Sequence, residues 1–228
     1  MQISGAKSES FLQGQLTCDV RLINETHASL AAHCNPKGRI ISLFELFKAG
    51  GDFYLRMPAD LAPIAQQNLE KYAVFSKTNV AIVKPNDCPL LPLASTQAER
   101  IQAGIPTVYA ASSGLFLPHD LNLPQLGAVS FDKGCYTGQE IIARMQYLGK
   151  PKQQLYKAVL SADTVPSPGQ ILYLASDPDK EMGAVVDAIV IDDKIQLLAS
   201  LKTELVAEQT EVKTQLGMLC LSPTALIS

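Results

Sequence analysis

Lys133-Gly134-Cys135-Tyr136-Thr137-Gly138-Gln139-Glu140 sets a thiol beside a cation and just ahead of a helix start. Thr137, with Glu140 three residues on, has the spacing of a capping box, in which each side chain satisfies a backbone donor at the other position. The spacing predicts a helix from Gly138. Ile141, Ile142, Met145 and Leu148 carry it at helical intervals, and Gly149 and Pro151 stop it after about three turns. Cys135 then lies two residues before the N-cap. There the positive end of the helix dipole favours an anion, and Lys133 adds a second cationic influence. A lowered thiol pKa and a reactive Cys135 are the expectation; the alternative is a small buried hydrophobe in a Gly-flanked turn.

Upstream, a short helix is expected over 8–16, followed by a hairpin with strands over 28–34 and 39–47. Its turn, Asn35-Pro36-Lys37-Gly38, has Pro at the second position and Gly at the fourth, as a type I turn prefers. Gly50-Gly51-Asp52 leads into a strand over 53–57. Leu61, Ile64, Ala65, Leu69 and Tyr72 recur at helical spacing, so 59–72 forms an amphipathic helix covering the sheet, and a strand follows over 80–83. Downstream, from Gln154, the pattern changes to short β-rich runs over 155–160, 171–175, 183–191, 195–200 and 217–221, separated by Pro, Asp and Gly clusters. The fold class is α+β: a sheet domain over 1–152 with covering helices, then a small C-terminal β-barrel over 153–228.

At 228 residues and 47% hydrophobic content, the chain suits one large domain and a small one with an ample core. The net charge of −3, without any Lys/Arg run, argues against a direct grip on nucleic acid, where phosphate neutralisation dominates affinity. No stretch approaches an unbroken membrane span and the first thirty residues lack a signal-peptide pattern, so the expectation is a cytoplasmic protein. Cysteines at 18, 34, 88, 135 and 220 form no CxxC pair and read as reduced thiols. Histidines at 27, 33 and 119 are too few and scattered for a zinc site, and no metal is expected. His33 and Cys34, adjacent in a strand, should point to opposite faces.

KGCYTGQE, with Ser130-Phe131-Asp132 before it and Ile141-Ile142-Ala143-Arg144 after it, resembles the signature of the YgfZ family. These are folate-binding proteins related to the aminomethyltransferase (T-protein) of the glycine cleavage system. Residues 11–20, with Gln13-Gly14-Gln15, Thr17 and Asp19, resemble the family's QGQ-T-D segment, and 31–39 resembles its hairpin with a KG turn. Residues 71–77 and Gly104-Ile105-Pro106 also fit. The resemblance implies a GcvT-like folate-binding domain with ferredoxin-like sheets, closed by the barrel. It further implies a tetrahydrofolate cofactor and a role supporting iron–sulfur enzymes, including a tRNA-thiolating one. Any link to tRNA then runs through a client enzyme.

Two departures from the family stand out. Between Lys77 and Ile101 there are twenty-three residues where relatives carry a second ferredoxin-like half, and Pro85, Pro89 and Pro92 mark a short extended connection. Part of the ligand's wall is then absent or supplied by another chain. Gln102 stands where relatives usually carry Glu; its amide lacks the charge-assisted bonds a carboxylate makes to a pterin's donor edge. With no tryptophan in the chain, stacking falls to Phe116, Tyr109 or Tyr136. The resemblance implies a catalytic pair of Cys135 and Lys133, and folate contacts from Lys37, Arg39, Gln102, Tyr136, Gln139, Glu140 and Arg144. Lys37, Arg39 and Arg144 are the cations for the glutamyl tail. Arg144 equally suits an i,i+4 ion pair with Glu140, and Asp19 and Asp132 equally suit local turns. Two other functions compete with the accessory-factor reading: an aminomethyltransferase-type enzyme, and a non-catalytic interaction module that no longer binds folate.

Overall fold

The computed structural model describes residues 1–84, 95–149, 151–206 and 211–222. Strands β1 (Gln2–Ser4), β2 (Ser29–Cys34), β3 (Ile40–Ala49), β4 (Asp52–Arg56) and β5 (Asn79–Ala81) form one sheet in the order β2-β3-β4-β1-β5. The hairpin and β4 arise where the alternating pattern places them. The sequence reading did not foresee β1, whose three residues are too short to show a period, yet it pairs antiparallel with both β4 and β5.

Alternation sorts the sheet's side chains between two cores. Ala31, Phe44, Leu46, Phe53 and Leu55 pack with α1 (Ser8–Gln13) and α2 (Ala62–Ser76), through Phe11, Leu12, Ala65 and Leu69. Ala32, Cys34, Ile40 and Leu43 face the other way, toward Val108, Phe116, Leu121, Tyr136 and Ile142. His33 and Cys34 do fall on opposite sides: Cys34 lies in the second core, whereas His33 feels the charge of Lys71 on α2.

Helix α3 (Gln97–Ala103) opens inside the stretch read as a connection, and the prolines at 85, 89 and 92 lie outside the described residues. Its start is a complete capping box: Glu99 N donates to Thr96 Oγ1 at 3.2 Å and Thr96 N to Glu99 Oε2 at 2.7 Å. That corrects the first capping-box reading. Helix α4 (Gln139–Leu148) begins one residue later than predicted, and its N-cap is Gly138 in the left-handed conformation (φ +84°), with no side-chain cap. Thr137 is turned instead toward the N-terminal segment, its amide donating to Gly14 O at 3.3 Å.

The second half closes into a six-stranded barrel of β6 (Gln153–Ser161), β7 (Ile171–Leu174), β8 (Asp177–Ile191), β9 (Lys194–Lys202), β10 (Glu211–Thr214) and β11 (Gly217–Ser222), with helix α5 (Thr203–Val206) after β9. Its order is β10-β11-β6-β9-β8-β7, closed by Thr214 against Leu174. Leu160, Leu172, Met182, Val185 and Leu197 contribute to its own core. Other barrel residues, Leu155, Ala184, Val186 and Leu198, join the core of the sheet domain. A polar joint reinforces the seam. Asp187, fully buried on β8, accepts from Gln97 Nε2 at 2.7 Å and from the Tyr109 hydroxyl at 3.2 Å. Asn122 donates to Leu155 O at 3.3 Å and accepts from its amide at 3.4 Å. Among the described residues, no helix is long and apolar enough to cross a membrane.

Candidate functional site

Three of the sequence blocks converge in space. The stretch 128–138 is laced to 14–18: Ser130 N donates to Thr17 O at 2.9 Å, and the buried Thr17 hydroxyl donates to Ala128 O at 2.7 Å while accepting from Ala32 N at 3.0 Å. Lys133 is itself buried, and its ammonium donates to Leu16 O at 2.8 Å and Cys18 O at 2.7 Å. The hairpin turn supplies the third block. A Cβ on Gly138 would lie 2.6 Å from Asn35 O and 3.1 Å from Gly38 Cα, so only glycine lets the loop rest on the turn. The turn is pinned in place: Asn35 Oδ1 accepts from Lys37 N at 2.9 Å and Arg39 N at 3.0 Å.

This scaffold presents Cys135 to solvent. The thiol lies in a depression of about 470 Å³ lined also by Pro36, Tyr136, Gln139, Glu140 and Ala143. Tyr136 is buried beneath it, within 5.1 Å of the Lys133 ammonium, and burial pushes its phenol up. Lys133 and Cys135, read together from the sequence, part here. The charge partners of Lys133 include Cys18 and Asp19, and burial brings its ammonium down to about 8 while pushing the Cys18 thiol up to about 11. Asp19 is held well below the usual carboxylate range, chiefly by Arg21.

On the other side of α4 lies a cleft of about 960 Å³ between the sheet domain and the barrel. Leu115, Phe116, Leu117, Met145 and Ile171 give it an apolar wall. Arg39, Lys152 and Lys202 supply cations, and Asp120, Glu181 and Glu204 carboxylates. Among the described residues none of those three cations is in an ion pair. Arg39 donates to Leu115 O. Asp120 is buried, one oxygen accepting from Leu117 N at 2.8 Å, and burial raises its carboxyl.

Of the residues read from the sequence, Arg39 and the stacking candidate Phe116 line this cleft, while Tyr136, Gln139 and Glu140 line the Cys135 depression. Lys37 stands exposed on the hairpin turn, and Arg144 is exposed on α4 without an ion pair to Glu140. Gln102 is exposed on α3, where its backbone carbonyl accepts from Lys157 Nζ at 3.0 Å. Sequence reasoning missed Asp120, Lys152, Lys202, Glu181 and Glu204. Only the proximity of Lys152 to the domain boundary offered a signal.

No family model matches the chain. Curated relatives do: proteins named tRNA-modifying protein YgfZ from Klebsiella pneumoniae (strain 342) and Escherichia coli (strain SE11) are each 31% identical, across 84% of this chain and 78% of theirs. The chain belongs to the YgfZ family. It is a short member. The alignment to the Klebsiella YgfZ runs over 258 positions, of which 84% of these 228 residues fills about 192, leaving about 66 without a counterpart. The crystal structure of glycine cleavage system aminomethyltransferase T from Bartonella henselae matches this chain with TM-score 0.66 at 15% identity, covering 99% of this chain and 82% of that one. The GcvT-like α+β fold with its barrel is therefore present despite the shorter chain.

Proposed function

We propose that this chain is a folate-binding accessory protein of tRNA modification, supporting iron–sulfur enzymes through an exposed thiol at Cys135. The observation that carries the folate half is the interdomain cleft. Its volume falls in the range of about 300–1,000 Å³ typical of small-molecule sites. The donor set fits a folate: an apolar wall of Phe116, Leu117 and Met145 for flat rings, Asp120 as a carboxylate for the donor edge of a pterin, and Arg39, Lys152 and Lys202 as cations for a glutamyl tail. Tetrahydrofolate supplies a one-carbon carrier. The chain's own residues orient it and keep water from its rings.

Calorimetric titration of the reduced protein with tetrahydrofolate under anaerobic conditions tests this reading. Saturable one-site binding that weakens in Arg39→Ala supports it, whereas no heat of binding leaves only an interaction module. The second half, the accessory role, draws on the relatives' naming and on an exposed thiol in a moulded depression. It is tested by whether Cys135→Ala fails to restore tRNA thiolation in a cell lacking its own YgfZ.

Asp120 favours one competing reading. A buried carboxyl raised by burial at the wall of the cleft is suited to proton transfer at a folate nitrogen, as an aminomethyltransferase-type enzyme requires. Methylene transfer in a purified assay, lost in Asp120→Asn, would establish that reading over the first.

A further inference from the structure

We propose that Lys133 is a positioning residue that clamps the loop presenting Cys135, and that it acts on the thiol through the backbone rather than as a neighbouring charge. This rests on the reading of Cys135 as the functional thiol. Lys133 is 6% exposed, and its ammonium is spent in the interior on two carbonyls, Leu16 O at 2.8 Å and Cys18 O at 2.7 Å. Those carbonyls belong to a segment more than a hundred residues away in the chain. The face of Tyr136, the residue after Cys135, lies 5.1 Å from the same ammonium and adds a cation–π contact. The loop from Gly134 onward is thus held at both ends: at Lys133 by the ammonium, and at Gly138 by close packing on Asn35 and Gly38.

A compact ammonium suits this geometry. Its three donors radiate from one point and reach two carbonyls and a ring face at once. Removing it leaves two buried carbonyls without their donor, at the centre of the lacing between 14–18 and 128–138. An arginine keeps the charge but places a planar fork where a point donor sits, so it does not restore the clamp. Charge and position are therefore separable by substitution.

The full chain is compared with Lys133→Arg and Lys133→Met by two measurements. One is peptide-resolved amide hydrogen exchange over 134–138. The other is the rate of Cys135 alkylation by iodoacetamide from pH 6 to 10, read by mass spectrometry of the Cys135 peptide. In both variants exchange rises by roughly tenfold or more, while the pH profile of alkylation keeps its shape. A profile that shifts in Lys133→Met and returns in Lys133→Arg overturns the proposal, whatever the exchange does. Unchanged exchange in both variants overturns it equally. Where Lys133→Met fails to fold, Lys133→Arg decides alone: raised exchange supports the clamp and parent-like exchange overturns it. Full in-cell complementation by Cys135→Ala would remove the functional reading of the thiol and leave the exchange result standing, so the two failures are distinguishable.

Discussion

The Cys135 depression and the interdomain cleft lie on opposite sides of α4, and they are built in opposite ways. The depression is made by contiguous motif residues held on a lattice of backbone hydrogen bonds from one domain. The cleft collects side chains from the hairpin, the segment around 115–120, α4, four barrel strands and α5. A site written in consecutive residues can be read from sequence, whereas one assembled by domain packing is visible only when the domains have been placed. Backbone close packing underlies both, but the cleft's ligand contacts can be lost one side chain at a time, whereas the depression's residues share one loop.

The sharpest break comes from the two glycines. On Gly183, at the cleft, a Cβ would lie 1.9 Å from Ser200 O on the paired strand. Gly183→Ala should cost more than about 4 kcal/mol in urea unfolding. On Gly138 the overlap is milder, and Gly138→Ala should cost roughly 3 kcal/mol, from the positive φ together with the contact to Asn35. Near-parent stability in either variant would remove the close packing claimed at that site.

Titration should separate the regions next. The folded pKa of Lys133 is about 8 against an ordinary 10.5. Below about 8 both states hold the proton. Between about 8 and 10.5 the unfolded chain holds a proton the folded one has shed, so unfolding free energy gains from this group as pH rises. Asp187 at the seam has the opposite sign: its folded pKa is raised by burial, so its contribution falls as pH rises through the carboxylate range. Stability curves against pH for Lys133→Met and Asp187→Asn should each lose the corresponding slope; a parent-like slope in either would contradict the assignment.

Smaller effects belong to the cleft's side chains. Arg39→Ala and Lys152→Ala should each weaken tetrahydrofolate binding by about tenfold, near 1.4 kcal/mol, with the melting temperature unchanged. Equal affinity in both variants would move the ligand elsewhere. The smallest effect on stability is expected at Cys135. Because its side chain is exposed, Cys135→Ala should change unfolding free energy by less than about 0.5 kcal/mol while abolishing complementation.

Much of the fold was legible because periodicity carries it: the hairpin through Asn35–Gly38, α2, and five of the six barrel strands. What escaped has particular causes. β1 and β10 are short and carry a single large apolar residue each, Ile3 and Val212, so no apolar run marks them as it marks β5 and β7. The true capping box at Thr96 and Glu99 had the same spacing as the false one at Thr137 and Glu140; at the second, Gly138 takes the left-handed conformation and the loop is anchored elsewhere. Lys133 was read from its sequence neighbour Cys135, but a four-carbon side chain reaches the 16–18 segment, which no local spacing reveals. Asp120, Lys152 and Lys202 share no motif, and only the docking of the barrel brings them to one cleft.

That docking is through apolar side chains, and the barrel's Leu155, Ala184, Val186 and Leu198 are buried in the same cluster as Cys34, Tyr136 and Ile142. The barrel therefore shares its core with the sheet domain rather than standing as a self-contained cassette. A chain cut at residue 152 would bare the oily underside of the sheet domain and strand Tyr109 and Gln97 without Asp187, so that neither piece alone would be a finished protein.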